Sequence, residues 1–66
     1  MNRIKEIREY KRITQKSLAE AAHISGPYLY DLENNRRGAK PETLARIAEA
    51  LGVTVNDLID RNEEPA

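Results

Sequence analysis

The sequence predicts a small all-α domain of five helices, and three observations support this fold class. With 66 residues the chain has room for one hydrophobic core. Apolar residues recur three to four positions apart along it, the spacing of a buried helical stripe. Hydroxyl residues that commonly cap helices precede three of these stripes, at Thr14, Ser25 and Thr54.

The segment from Thr14 to Glu33 predicts two short helices joined by a tight turn. In its first half the apolar spacing covers Leu18, Ala19 and Ala22, and it breaks at His23. After Ser25 a second apolar face begins, on which Leu29, Leu32 and the aliphatic part of Glu33 share one side. Two helices with so short a link must cross steeply. The segment therefore predicts a helix-turn-helix motif.

The remaining elements extend this motif on both sides. We expect a first helix capped by Asn2 and running to about Lys11 or Arg12, with Ile4, Ile7 and Tyr10 along one side. His23 is expected to take a left-handed backbone conformation, and Asn35 or Gly38 to do so in the loop after the third helix. The other predicted helices cover Gln15 to Ala22, Gly26 to Asn34, Pro41 to Leu51 and Val55 to Arg61. The domain is expected to span residues 1–61, followed by a frayed tail at 62–66.

Composition excludes several functional classes. The chain has no cysteine and a single histidine, which rules out a disulfide framework and leaves no set of zinc ligands. The charged N-terminal segment contains no apolar run long enough for a signal peptide or a membrane span. We therefore expect a cytoplasmic protein without a cofactor or metal and without a membrane partner.

The charges are unevenly distributed although their sum is zero. Residues 1–40 contain nine Lys and Arg against five acids, a net charge of +4, and residues 41–66 contain two against six, a net charge of −4. Such a chain can turn its N-terminal part toward a polyanion such as DNA. The alternative is that these charges simply cover solvated helix faces.

The outward side of the third helix carries the candidate recognition residues. At 100° per residue Pro27, Tyr30, Asp31 and Asn34 point outward and Tyr28 lies on the flank. The tyrosines either cover the surface of a small domain or enter the major groove of DNA, where they can contact bases and phosphates. Phosphate contacts are expected from residues at the start of the second helix and on or beside the basic loop: Gln15, Lys16, Asn34, Arg36, Arg37 and Lys40.

Four stretches of the chain resemble the Cro/CI family of helix-turn-helix repressors, also called the xenobiotic-response-element or lambda-repressor-like family. They are RIKEIREYK, ITQKSLAEAAHIS, YLYDLENNRR and PETLARIAEALGVTVNDLI, which together cover nearly the full length. The resemblance implies a five-helix domain that binds a pseudo-palindromic DNA operator, usually as a homodimer, without catalytic activity. Half-sites are then centred about 34–36 Å apart.

The resemblance also assigns roles to individual residues. Gln15 matches a glutamine that binds phosphate and supports recognition, and Arg8 and Glu33 match a semi-buried ion pair. His23 stands where the family usually has glycine. The base-reading and flanking positions are occupied by Gly26, Pro27, Tyr28, Tyr30 and Asp31. Because Gly26 and Pro27 have no side-chain donor, specificity is expected to depend on Tyr28, on Tyr30, on Asp31 facing the groove as an anion, and on DNA shape.

These observations favour a sequence-specific transcriptional regulator, a repressor, that binds double-stranded operator DNA as a homodimer. An antagonist protein that docks on the same surface is a further expected partner. The alternative is a protein-interaction module, similar to an antitoxin or an adaptor, that uses the helix-turn-helix face or the fifth helix. An enzyme is the weakest hypothesis, because the sequence offers no assembly of nucleophile, base and orienting group.

Overall fold

The computed structural model describes residues 2–59, and this part of the chain forms five helices. They are α1 (Ile4–Tyr10), α2 (Gln15–Ala21), α3 (Gly26–Glu33), α4 (Pro41–Leu51) and α5 (Val55–Leu58). An isolated antiparallel bridge joins Asn2 to Ile59, so the two ends of the described chain meet. The predicted all-α, five-helix fold is confirmed. The expected domain end at residue 61 and the tail at 62–66 lie outside the described residues.

Hydroxyl caps begin three of the helices as predicted. The Thr14 hydroxyl accepts a hydrogen bond from the Ser17 amide at 3.0 Å, and the Ser25 hydroxyl accepts one from the Tyr28 amide at 3.1 Å. Thr54 forms a reciprocal capping box with Asp57 at the start of α5. The expected cap at Asn2 is wrong by one residue, because Arg3 occupies the N-cap position of α1 while the Asn2 side chain accepts from the Ile4 amide.

Four helices end in the same way, with a left-handed residue followed by an amide that bonds to the carbonyl five residues back. The left-handed residues are Arg12 (φ 59°), His23 (φ 58°), Asn35 (φ 58°) and Gly52 (φ 73°). The closing bonds are Ile13 to Arg8, Ile24 to Ala19, Arg36 to Asp31 and Val53 to Ala48. The left-handed turn at His23 was predicted, and Asn35 is the one of the two predicted alternatives, Asn35 or Gly38, that the structure shows. The turn at Arg12 was not predicted. Because this turn follows so early, α1 ends at Tyr10 rather than at Lys11 or Arg12.

Three other predicted helix ends lie too far along the chain. The third helix ends at Glu33, and Asn34 is its C-cap. The fifth helix ends at Leu58 rather than Arg61, because Ile59 takes an extended conformation and pairs with Asn2. The second helix likewise ends one residue early, at Ala21.

The core lies where the inner faces of all five helices meet. Its buried apolar residues are Ile4, Leu18, Ala19, Ala22, Leu29, Leu32, Ile47, Ala48, Leu51 and Leu58. The predicted stripes of α2 and α3 are thereby confirmed. Tyr10 was expected beside Ile4 and Ile7, but it is 87% exposed. Its position at the last turn of α1 carries its side chain past the edge of the core.

Tertiary contacts fix α3 from one side and leave its other side open. The most extensive contacts between helices are those of α2 with α3, α2 with α4, α4 with α5, and α1 with α4. Arg46 of α4 also donates to the carbonyl of Ala22 at 3.0 Å, which satisfies a free carbonyl at the end of α2. Among residues 2–59, no helix is long and apolar enough to cross a membrane.

Candidate nucleic-acid interface

The candidate interface is built on the outward side of α3, which we call the reading face and define as Gly26, Pro27, Tyr28, Tyr30 and Asp31. Tyr30 is 46% exposed, Pro27 is exposed, and the other three are half-buried. Leu29, Leu32 and Glu33 are buried on the opposite side. The division predicted from helical periodicity is therefore the one that the structure shows.

The basic loop after α3 folds back onto this reading face. The Nε atom of Arg37 lies 3.5 Å from a carboxylate oxygen of Asp31. The guanidinium carbon of Arg37 lies 5.8 Å from the centre of the Tyr28 ring, and that of Arg36 lies 5.7 Å from the centre of the Tyr30 ring. Both distances fall within the range of cation–π attraction. Asp31 is predicted to face the groove as an anion, and the structure adds that Arg37 lies against its charge.

Backbone geometry explains why the loop returns. Asn35 is left-handed, and the next amide, that of Arg36, donates to the Asp31 carbonyl at 2.9 Å. The side chain of Asn34 donates at 2.8 Å to the Tyr30 carbonyl, which also accepts from the Asn34 backbone amide. Asn34 was expected to contact phosphate, and this bond occupies one of its amide hydrogens.

The N-terminal segment braces the same loop, a role that the sequence did not reveal. Asn2 donates to the Leu32 carbonyl at 2.7 Å and to the Asn35 side chain at 3.2 Å. Its side-chain oxygen accepts from the Ile4 amide. One asparagine thus connects the start of α1 to the end of α3. From the sequence alone, the short side chain of Asn2 indicates only a helix cap. No periodic pattern indicates its contact with Leu32, which lies 30 positions away.

A buried polar network holds α3 against α1 and α2. Arg8 donates to Glu33 through Nε at 2.7 Å and through Nη2 at 3.2 Å, and its Nη1 donates to the Ile13 carbonyl at 2.9 Å. Gln15 donates to Glu33 at 3.1 Å. The side chains of Arg8 and Glu33 are only 12% and 1% exposed. The ion pair that the resemblance implies is therefore present and buried.

This network is fully satisfied and has an electrostatic consequence. Among the described residues, every buried side-chain nitrogen and oxygen has a hydrogen-bond partner. The hydrogen bond to Glu33 raises the pKa of the Arg8 guanidinium above its ordinary value. Gln15 uses one of its side-chain amide hydrogens in the network. Its second amide hydrogen and its side-chain oxygen remain available to a ligand at the start of α2. The side chain predicted to bind phosphate is thus fixed to the reading helix.

The remaining predicted contact residues lie apart from this cluster. Lys16 is exposed in the first turn of α2, and Lys40 is exposed at the N-cap of α4. Each therefore places a positive charge beside free backbone amides. Within residues 2–59 no group of three His, Asp or Glu side chains is arranged to hold a metal ion. The geometry of the described residues is that of a binding surface with charged and aromatic groups.

Comparisons with known proteins agree with this geometry. The Helix-turn-helix family profile matches residues 4–58. The chain is 43% identical over 58 residues to the HTH-type transcriptional regulator DdrOP3 of Deinococcus deserti, covering 88% of this chain and 45% of that protein. It is 42% identical over 57 residues to the immunity repressor protein of Bacillus phage phi105, covering 86% of this chain and 40% of that protein. It therefore spans less than half the length of either relative.

Solved structures of a third protein, SinR, have the same fold. The N-terminal DNA-binding domain of SinR from Bacillus subtilis superposes with a TM-score of 0.81 at 32% identity, covering 94% of this chain and 91% of that one. SinR in its complex with the SinI protein gives a TM-score of 0.83 at 31% identity, covering 92% of this chain and 60% of that one. Sequence and fold agree over the five helices, and the chain belongs to the Cro/CI-type helix-turn-helix family.

Proposed function

We propose that this chain is the DNA-binding part of a transcriptional repressor that binds a pseudo-palindromic operator as a homodimer, with α3 in the major groove. The observation that carries the proposal is the folding of Arg36 and Arg37 onto the tyrosines of an outward-facing α3. Positive and aromatic groups are thereby concentrated on one face, where a polyanion with stacked bases fits. The names of the relatives support the same function, and the activity is binding without a catalytic step.

The proposed division of labour follows from side-chain chemistry. The reading face supplies base contacts through Tyr28, Tyr30 and Asp31. Gly26 allows close approach of the backbone because it has no side chain, and Pro27 offers no side-chain donor. Six residues at the edges of this face are candidates for phosphate contacts: Gln15, Lys16, Asn34, Arg36, Arg37 and Lys40. A repressor with these contacts works in the compartment that holds the DNA, which agrees with the expected cytoplasmic location.

Selection of bound sequences from random DNA tests the proposal. We expect a recovered motif with two-fold symmetry and half-sites centred about 34–36 Å apart, which corresponds to about one turn of DNA. Fluorescence anisotropy with this operator should show that the affinity falls steeply with salt, with a slope that reflects the number of phosphates contacted. Sedimentation of the complex should give two protein chains per operator.

A single lysine provides the matched variant for the phosphate contacts. Lys16→Gln removes one positive charge from the exposed start of α2 and changes no contact of the reading face. It should weaken the operator and unrelated DNA by the same factor and reduce the salt slope by about one. Recovery of no enriched sequence at low salt would refute the proposed function. A motif without two-fold symmetry would refute the homodimer alone.

A second candidate function is binding of an antagonist protein to the same domain. SinR, which shares this fold, occurs in a complex with the SinI protein. A partner that uses the helix-turn-helix face would compete with DNA for Arg36 and Arg37, whereas one that uses α5 would not. Reversal of both charges, Arg36→Glu with Arg37→Glu, should abolish DNA binding. A pull-down with a candidate partner then distinguishes the two docking sites, because only a partner that uses the helix-turn-helix face should also lose its binding.

A further inference from the structure

We propose that Arg37 reads a guanine in the operator and that Asp31 and Tyr28 position its guanidinium to do so. This inference rests on the proposed DNA-binding function and goes beyond it. It assigns a specificity-determining role to a residue that sequence position alone places among the phosphate contacts.

The first step is the reach of the side chain. Arg37 comes four residues after the last residue of α3, and a loop residue of this kind ordinarily contacts the DNA backbone. Its guanidinium nevertheless lies against Asp31 and Tyr28, which are on the first two turns of the helix. The positive head group is therefore carried back along the outward side of α3. In the proposed docking, this side faces the base edges.

The second step is the orientation of the guanidinium. The atom nearest the Asp31 carboxylate is Nε, at 3.5 Å. This leaves the two terminal nitrogens, Nη1 and Nη2, as a fork of donors with the spacing that O6 and N7 of guanine accept. The Arg37 side chain is 65% exposed, so a base edge can reach the fork. The guanidinium carbon also lies 5.8 Å from the centre of the Tyr28 ring, and this contact restricts the guanidinium and reduces the entropy lost when the fork binds.

The third step is charge, which distinguishes a base contact from a phosphate contact. Asp31 compensates the charge of Arg37, so the pair as a unit attracts a phosphate less than a lone arginine does. A carboxylate on the reading face is unfavourable beside DNA unless a cation or a donor accompanies it. Arg37 and Asp31 are therefore suited to the groove only as a pair. Arg37 donates to guanine, and Asp31 holds the guanidinium of Arg37 in place.

Arg37→Lys is the decisive variant because it keeps the charge and removes the planar fork. The probe is the operator recovered by selection, together with the same DNA carrying 7-deazaguanine, which lacks the N7 acceptor, at each guanine in turn. We expect wild type to prefer guanine at one position of each half-site by about 5- to 140-fold. Arg37→Lys should lose this preference and its sensitivity to 7-deazaguanine, while its salt slope stays close to that of wild type.

Asp31→Asn tests the positioning role, with Lys16→Gln as the control. Asp31→Asn should lower discrimination at the guanine position severalfold while binding unrelated DNA more tightly, because an anion is removed. Lys16→Gln should leave discrimination unchanged. Circular dichroism should show the same helix content for all three variants, since the substituted side chains lie outside the buried core.

The outcomes separate the inference from the function on which it rests. If Arg37→Lys retains full guanine discrimination, or if the recovered motif has no guanine in the half-site, Arg37 is a phosphate contact and the inference is wrong. If Asp31→Asn discriminates as well as wild type, its positioning role is wrong. Failure of wild type itself to select any sequence would instead overturn the proposed function.

Discussion

Substitution of Arg8 by methionine should remove a large part of the stability of this domain. The change leaves the Glu33 carboxylate, whose side chain is 1% exposed, with a single hydrogen bond from Gln15. It also removes the donor to the Ile13 carbonyl. Removing one partner of a buried ion pair costs about 3–5 kcal/mol, because the remaining charge stays buried without compensation.

This magnitude is decisive for so small a protein. A chain of 66 residues is expected to have a free energy of unfolding of about 3–10 kcal/mol in total. The Arg8→Met variant should therefore lose between about a third and all of its free energy of unfolding. Urea titration followed by far-UV circular dichroism measures the free energy of unfolding of wild type and variant directly.

Two further variants make the interpretation specific. Arg8→Met combined with Glu33→Met removes both charges and should recover most of the lost stability, because an apolar pair of similar volume carries no desolvation penalty. Glu6→Gln disrupts the exposed pair between Arg3 and Glu6 at 3.3 Å and should cost at most about 1 kcal/mol. If Arg8→Met costs no more than Glu6→Gln, or if the double variant is less stable than Arg8→Met, the argument from burial is wrong.

Two smaller effects follow from backbone geometry and from a helix cap. His23→Gly should stabilise the domain by about 0.5–1 kcal/mol in thermal unfolding, because glycine relieves a left-handed φ of 58° at a modest cost in unfolded-state entropy. Ala21→Gly, two residues earlier within α2, should destabilise the domain by a similar amount. If both substitutions change the stability in the same direction, the reasoning is wrong. Hydrogen bonds from Thr54 hold the pKa of Asp57 below its ordinary value of 3.8. The resulting stability is present above this pH and is lost as pH falls through the lowered pKa, so the difference in midpoint between wild type and Asp57→Asn should shrink as the pH falls below 3.8. A difference in midpoint that grows as the pH falls would refute the stabilising role of the ionised Asp57 in this cap.

Local signals in the sequence determined the helices and the direction of their faces. Hydroxyl caps at Thr14 and Ser25 and apolar spacing in α2 and α3 are properties of neighbouring residues, so they can be identified without a fold. The same spacing placed Leu29 and Leu32 inside and Tyr30 outside. The resemblance to a known family supplied the pairing of Arg8 with Glu33, which periodicity alone does not indicate.

Helix ends and long-range polar contacts were decided by the tertiary structure. A left-handed residue that is not glycine, such as Arg12, has only a weak signal in the sequence. For this reason the end of α1 was predicted too far along the chain. The contact of Asn2 with the end of α3 joins residues 30 positions apart, and a local pattern cannot encode such a distance.

The same limit applies to the reading face. The sequence determined that Asp31 points away from the core and that Tyr28 lies on the flank of α3, because of their helical positions relative to Leu29 and Leu32. Only the folded loop decides that Arg37 lies against both of them. The chain reverses at Asn35 because this residue has a left-handed backbone conformation, which the periodicity of the side chains does not predict. For this reason the sequence predicted which residues face outward, and the structure decided which of them act together.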